Sequence, residues 1–292
     1  MDYSRYCKKY VPYLFVAPAL IMLAVFFFLP FFESFYISLL DYSKDIYNPV
    51  FVGIGNYIKL FHSPMFYKTL INTVIYLVVA VPLLVVLPLI IAVVINQKLR
   101  LINFYKVSIY LPVIVSIVVA GIAWKWLYAD NGILNYLLSF FGVHKIGFLT
   151  DPKYALYSVI AVTVWKGLGY YMMIYLAALT SVPQDLYEAA DIDGASLLQK
   201  HFAVTVPHLL PAIALVTIIS SISAMKVFVE IFIMTQGGPL NSSMTIVYYI
   251  YQKGFENLDL GYASAVGIVL MAIIMLISVF NIKKIEGQAF NG

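Results

Sequence analysis

The chain has 292 residues, of which 63% are hydrophobic and 11% charged, with a net charge of +4 and a mean hydropathy of +0.92. Soluble domains are about 45–50% apolar and about 25% charged, and a soluble monomer cannot hide this much apolar area in one core. Composition therefore excludes a soluble globular enzyme and a disordered chain, and it predicts an all-α polytopic membrane protein.

The minor residue types narrow this further. The charges are scattered, and no basic run points to nucleic acid. A single cysteine, Cys7, excludes an internal disulfide framework and a Cys-ligated zinc site; it reads as a free thiol, the alternative being lipidation beside the membrane face. The histidines, His62, His144, His201 and His208, never fall at close metal-ligand spacing, so they read as loop residues.

Charge-free intervals mark the membrane crossings, since a span needs about 20 apolar residues. The intervals Lys9 to Glu33, Lys68 to Lys98, Lys106 to Lys125, Lys200 to Lys226 and Asp259 to Lys283 enclose 23, 29, 18, 25 and 23 uncharged residues. A sixth span carries one internal charge, Lys166. The predicted helices are 13–40, 70–95, 107–128, 155–179, 212–235 and 262–282, within one domain over 1–292. Ala17-Pro18-Ala19 imitates a signal-peptidase site, but only six apolar residues, Val11–Val16, precede it and the apolar run continues to Phe32. The first span is thus an uncleaved anchor.

The positive-inside rule sets the orientation. With the N-terminus inside, the inner segments carry nine cations: Arg5, Lys8, Lys9, Lys98, Arg100, Lys106, Lys200, Lys283 and Lys284. The longer outer loops carry six, Lys44, Lys59, Lys68, Lys145, Lys153 and Lys253. Six spans return the C-terminus to the inside. The outer loops, 41–67, 130–154 and 236–261, are aromatic-rich, and 131–141 has helical apolar spacing suited to the interface.

Charged and polar residues within spans face protein or water, because a charge at the bilayer centre costs about 2.5–3.5 kcal/mol. Lys226 and Glu230 are spaced to pair on one helix face, and with Ser220 and Ser223 they form a polar stripe. In the fourth span Trp165, Lys166, Tyr170 and Tyr171 surround Gly167 and Gly169. Aromatic faces with nearby polar groups suit a sugar. The competing reading has Lys125 and Lys166 snorkelling to an interface and the tyrosines serving as belt residues. Glu33 reads as interfacial.

The inner loop 181–210 differs from all the others. Ser181 can cap a helix, Pro183 suits its first turn and Asp185 favours the positive end of its dipole. Leu186, Ala189 and Ala190 make a narrow stripe of small residues, with Glu188 and Asp191 at the rim, and Asp193-Gly194 breaks the helix. A second short helix follows before Pro207 and Pro211. The stretch reads as a helix outside the bilayer, shaped either for close docking or as a solvated connector.

Here the sequence resembles a known family. Glu188-Ala189-Ala190 followed by Gly194, then Phe202, Val206-Pro207 and Pro211, looks like the EAA loop of binding-protein-dependent ABC importer permeases. The string 186–195, preceded by Ala177-Ala178-Leu179, Ser181, Val182 and Pro183, is close to its sugar branch. Further matches are Ala17-Pro18, Phe51-Val52-Gly53 with Asn56-Tyr57, Asn72-Thr73, Gly237-Gly238-Pro239 and 261–265. They cover nearly the whole chain and resemble the maltose-F or glycerol-phosphate-A type of subunit. The resemblance implies a type I importer permease in a bacterial cytoplasmic membrane. It also implies a second permease, two ATPase subunits, an extracytoplasmic binding protein and a sugar-like or polyol-like solute, with membrane lipid around the spans. The EAA helix, 183–196, would seat in an ATPase cleft, with Glu188, Ala189, Ala190, Asp193 and Gly194 at the contact. The chain has no G-x-x-x-x-G-K-[ST] loop, so ATP and magnesium would belong to the ATPases and no cofactor to this chain. The alternatives fit less. An ion-coupled secondary transporter using Lys226–Glu230 leaves the EAA loop unexplained, and no intramembrane His–carboxylate cluster, H-E-x-x-H or G-x-S-x-G supports a membrane enzyme.

Overall fold

The computed structural model describes residues 3–43, 45–97 and 100–289. Lys44 and Lys98, counted above among the loop cations, lie outside the described residues, as do the side chains of Arg5, Cys7, Lys8, Lys9, Lys283 and Lys284. The chain gathers into two compact units, Met1–Ser63 with Ile250–Met271 and Pro64–Tyr249 with Ala272–Gly292.

The first unit opens with α1 (Tyr3–Leu23), a π-turn (Ala24–Phe28) and α2 (Leu29–Ile37). Residues Tyr13–Ile37 are long and apolar enough to cross a membrane. Glu33 is exposed on α2. The helix stops before the expected residue 40, because Leu40–Asp41 (β1) pairs antiparallel with Val50–Phe51 (β2), Leu40 opposite Phe51. The short α3 (Gly55–Phe61) follows. Its buried Asn56 donates from Nδ2 to the carbonyls of Ser38 and Leu40, at 2.9 and 2.8 Å, which satisfies acceptors freed where α2 ends.

The second unit carries the core. Its first helix, α4 (Pro64–Ile95), begins two turns before the expected residue 70 and runs unbroken through Pro82 and Pro88. The third expected span, 107–128, is not one helix. It divides into α5 (Ile102–Ile114) and α6 (Ile117–Leu127), bent by 97°. Pro112 weakens the last turn of α5 by removing an N–H donor, and Val115 and Ser116 take extended ψ values of 133° and 135°. α7 (Ile133–Ser139) is the short helix expected within 131–141, and α8 (Ala155–Leu179) is the fourth span as predicted.

After α8 come α9 (Gln184–Ile192), α10 (Leu197–Lys200), a π-turn (His201–Thr205) and α11 (Val206–His208), so His201 and His208 stand in helical segments rather than loops. A 68° bend leads into α12 (Leu210–Met225). The expected helix 212–235 therefore ends early: Lys226–Phe228 leave helical geometry and α13 (Val229–Met234) starts afresh. α14 (Ile246–Tyr251) lies in what read as an outer loop. A π-turn (Gln252–Glu256) precedes α15 (Leu260–Ala289), which begins close to the predicted residue 262. Among the described residues, four helices are long and apolar enough to span, and counting each bent pair as one span gives up to six.

α8 is central to the second unit: α4, α5, α12 and α13 all pack against it. Tyr76, Ala80 and Leu84 of α4, Val159, Ile160, Met172 and Tyr175 of α8, and Val216 and Ala224 of α12 are buried there. Gly169 sets the crossing with α5, since a Cβ on it would lie 2.5 Å from the Ile109 carbonyl oxygen and 2.7 Å from the Tyr110 Cα. Only glycine permits that approach, as in other membrane helix pairs.

Candidate functional site

Two places in the second unit collect the polar residues. The first is a cavity of about 490 Å³ among α4, α5, α8, α12 and α13. It is lined by Ser223, Lys226, Glu230, Tyr170 and Tyr171 of the residues expected on the path, and by Lys166. The two breaks explain how these side chains meet. With α12 ended at Met225, Lys226 caps its C-terminus, where the negative dipole end favours a cation. Glu230 sits in the first turn of α13, where the positive end favours an anion. The expected i, i+4 pair on one helix face is thus corrected: the two charges occupy opposite sides of a helix interruption and share the cavity instead.

Lys166 has a different task from the one expected. Its Nζ donates to the carbonyls of Val113 and Pro112, at 3.0 and 3.4 Å. Those acceptors lost their helical donors when α5 stopped, and an unpaired carbonyl within a membrane costs several kcal/mol. Lys166 thus caps the end of α5 from the neighbouring helix. Glu230 lies within its electrostatic reach, and Glu230 and Thr163 line the same cavity.

Three further lining residues, Tyr76, Thr163 and Phe228, escaped the sequence reading. Tyr76 is fully buried, with its hydroxyl 2.5 Å from Thr163 Oγ1. Thr163 and Tyr76 join α8 to α4 at the cavity wall. Phe228, in the non-helical turn, stacks on Phe232 at 5.4 Å between ring centroids. A threonine and a tyrosine inside apolar runs carry no distinctive periodic signal; only their spacing from Lys166 and Glu230 on facing helices marks them.

Two expected path residues lie elsewhere. Ser220 is buried and bonds back to its own helix, donating to the Val216 carbonyl at 2.6 Å, a habit of serine in apolar helices. Trp165 points away and packs edge-on against Trp124, with centroids 5.4 Å apart. Lys125, read above as path or interface, lines a separate cavity of about 600 Å³ with Tyr128, Asp130 and Thr235.

The second place is the segment after α8. α9 carries no fully buried residue; Glu188, Ala189, Asp193 and Gly194 are exposed and Ala190 is half-buried. The helix stops at Ile192, not at residue 196, and its end is a Schellman motif. Ala195 N–H donates to the Ala190 carbonyl at 3.0 Å and Gly194 N–H to the Asp191 carbonyl at 3.1 Å, with Gly194 at φ +72°. Ser196 then opens α10 with a capping box: Gln199 Oε1 accepts from Ser196 N–H at 2.7 Å, and Gln199 N–H donates to Ser196 Oγ. Two long-range ties hold α9 against the following helices, the Tyr187 and Thr205 hydroxyls at 2.8 Å and the Lys200–Asp191 ion pair. Ser181, expected as the N-cap, instead donates to the Ala178 carbonyl, and Pro183 occupies the cap position. Ile192, Leu198 and Phe202 are 87, 70 and 72% exposed, so this surface presents apolar side chains around a rigid turn.

The segment 237–246, read above as an outer loop, is likewise held by short-range geometry and two residues of α4. Asn72 Nδ2 donates to the Asn241 and Met244 carbonyls, each at 3.0 Å, and Thr73 Oγ1 accepts from Ile246 N–H at 2.9 Å. This is the work of the Asn72-Thr73 pair noted in the sequence.

Comparison with known proteins agrees with this geometry. Residues 50–285 match the family model for the binding-protein-dependent transport system inner membrane component. The lactose transport system permease protein LacF of Rhizobium radiobacter is 36% identical over 272 residues, covering 91% of each chain. The arabinooligosaccharides transport system permease protein AraP of Halalkalibacterium halodurans is 34% identical over 277 residues, covering 93% of this chain and 86% of its own. Among solved structures, the bacterial alginate ABC transporter in complex with alginate pentasaccharide-bound periplasmic protein contains a chain with a TM-score of 0.81 at 26% identity, covering 96% of each. A family match over most of the sequence, relatives above 30% identity and the shared helical architecture lead to one conclusion: this chain belongs to the binding-protein-dependent transport system inner membrane component family and is a multi-pass transmembrane subunit of such a transporter.

Proposed function

We propose that the chain forms half of the path by which a sugar or polyol-like solute is imported across a bacterial cytoplasmic membrane. A second permease subunit supplies the other half, and an extracytoplasmic binding protein delivers the solute. Two ATPase subunits, which bind the ATP and magnesium, supply the energy. Both termini and α9 lie on the cytoplasmic side. The cavity is the observation that carries this reading. Tyr170 offers an aromatic face, 44% exposed, to the C–H side of a sugar ring, while Ser223, Thr163 and Glu230 offer hydrogen-bonding partners to its hydroxyls. The saccharide transport named for LacF and AraP, and the alginate pentasaccharide on the periplasmic protein of the solved complex, favour the same solute class.

Energy would enter through α9. Its small side chains Ala189 and Ala190 let an ATPase cleft approach the backbone, and Glu188 makes the polar contact. The Schellman turn at Gly194 and the Asp191–Lys200 tie make α9 move as one piece with 197–208. The 68° bend into α12 then passes that motion toward Lys226 at the far end of α12 and Glu230 across the break in α13.

Uptake into proteoliposomes tests the reading. With the ATPase and binding protein present, labelled saccharide uptake requires ATP and survives collapse of ion gradients. Glu230→Leu lowers uptake at least tenfold while the complex still assembles. Uptake by this chain alone, driven by a proton or sodium gradient, overturns the proposal.

A further inference from the structure

A second groove, of about 700 Å³, lies between the end of α4 and the start of α5 and takes no part in the cavity above. Ile90, Ile91, Val94 and Ile95 form one wall; their i, i+4 spacing puts them on one face of α4. Ile109 and Tyr105, also four apart, form the other, and Arg100 stands at one end. The groove is open: Ile90, Val94 and Tyr105 are 53, 48 and 45% exposed.

Its polarity is graded. Five aliphatic side chains line it, and the charge at its end is a single guanidinium, placed where α4 has finished and α5 has not begun. No Asp or Glu occurs between Asp45 and Asp130, an 84-residue stretch that holds Arg100 and Lys106. The ion pairs Lys59–Asp41 and Lys200–Asp191 do not involve Arg100, so its charge is not neutralised by them. An apolar trough ending in a cation matches an amphiphile with an anionic head. A saccharide would find almost no hydroxyl partners along these walls, and an apolar helix from another subunit would leave the guanidinium facing hydrocarbon.

We propose that this groove holds an anionic phospholipid. An acyl chain lies against Ile90, Val94 and Ile109, and the headgroup phosphate takes a two-pronged hydrogen bond from Arg100, the geometry that guanidinium and phosphate share. The Tyr105 hydroxyl is the second donor at the groove.

The test uses the full chain purified from membranes, with native mass spectrometry after adding phosphatidylglycerol or phosphatidylcholine of equal chain length. The unaltered protein retains phosphatidylglycerol about tenfold over phosphatidylcholine. Arg100→Gln abolishes that preference, whereas Val94→Trp, which fills the trough and leaves the cation, lowers retention of both lipids. A photoreactive benzophenone side chain at Val94, with Arg100 intact, crosslinks to lipid in native membranes. Equal retention of the two lipids by the unaltered protein, unchanged preference in Arg100→Gln, or crosslinking to a polypeptide in place of lipid overturns the proposal.

Discussion

The α9 segment and the cavity are built by opposite means. Around α9, hydrogen bonds between residues three to five apart fix the shape: Gly194 and Ala195 close the helix and Ser196 with Gln199 opens the next. The cavity has few such local devices. Its walls come from helices far apart in sequence, and its key polar contacts join residues 87 and 53 positions apart, Tyr76 with Thr163 and Lys166 with Val113. On the proposed function, the docking surface that must keep one outline is specified locally, and the space that must change during transport is framed by long-range contacts across helix breaks.

That difference can be challenged by substitution, and Gly169→Leu has the largest expected effect. The nearest atoms to its Cβ belong to the α5 backbone, which has no cheap way to yield. Destabilisation of about 1–3 kcal/mol or more follows from overpacking, read as a fall in melting temperature of the purified protein and a loss of folded yield. Lys166→Met comes next. It leaves the Val113 and Pro112 carbonyls without their donor, at about 1–3 kcal/mol, while Lys166→Arg retains most of the stability; equal melting temperatures for Lys166→Met and the unaltered chain would remove the capping role.

Substitutions around α9 have smaller, separable expected effects. Gly194→Val forces a β-branched residue into a left-handed conformation, about 1–2 kcal/mol. Its effect is confined to the turn: ATPase co-purification falls about tenfold, and the melting temperature of the membrane unit stays unchanged. Ser196→Ala removes one cap, about 1 kcal/mol, and reduces co-purification by only a few-fold. A drop in cavity-dependent uptake without any loss of ATPase binding in either variant would blur the contrast.

The smallest effect concerns a local turn in the first unit. Hydrogen bonds from the Ser43 hydroxyl and backbone N–H, then Lys59, hold the Asp41 carboxyl at about 2, below the usual 3.8. The folded value is the lower one, so this stabilisation is complete above about pH 4 and is lost as pH falls toward 2. Asp41→Asn therefore lowers the melting temperature slightly at pH 7, by less than about 1 kcal/mol at this solvated site, and the difference from the unaltered chain disappears near pH 2.

What the sequence discloses follows the same division. The turn at Asp193-Gly194, the first-turn Asp185 and the second short helix were readable because their causes lie within a few residues. Charge spacing and hydropathy marked the long apolar stretches, and α8 falls on the expected 155–179 although it carries Lys166. The breaks at Val115–Ser116 and Lys226–Phe228 were not. Hydropathy counts apolar residues without registering whether each backbone carbonyl finds a donor, and the donor at the first break, Lys166, is 53 residues away from Val113. Missing the second break led to Lys226 and Glu230 being drawn on one helix face. Ser220 and Trp165 misled for a related reason: polar or aromatic character shows what a side chain can do, while helix rotation, set by Gly169 and the α4–α8 packing, decides what it faces.

The pair of caps flanking residues 193–196 has an evolutionary corollary. An element closed at one end by Gly194 and reopened at the other by Ser196 depends little on the membrane helices that carry it, and its two longer ties, Tyr187 to Thr205 and Asp191 to Lys200, both fall within residues 187–205. If α9 couples to an ATPase as proposed, the stretch from Val182 to His208 is a transplantable cassette: exchanged between permeases, it is expected to carry the ATPase preference with it and to leave the recipient's cavity unchanged.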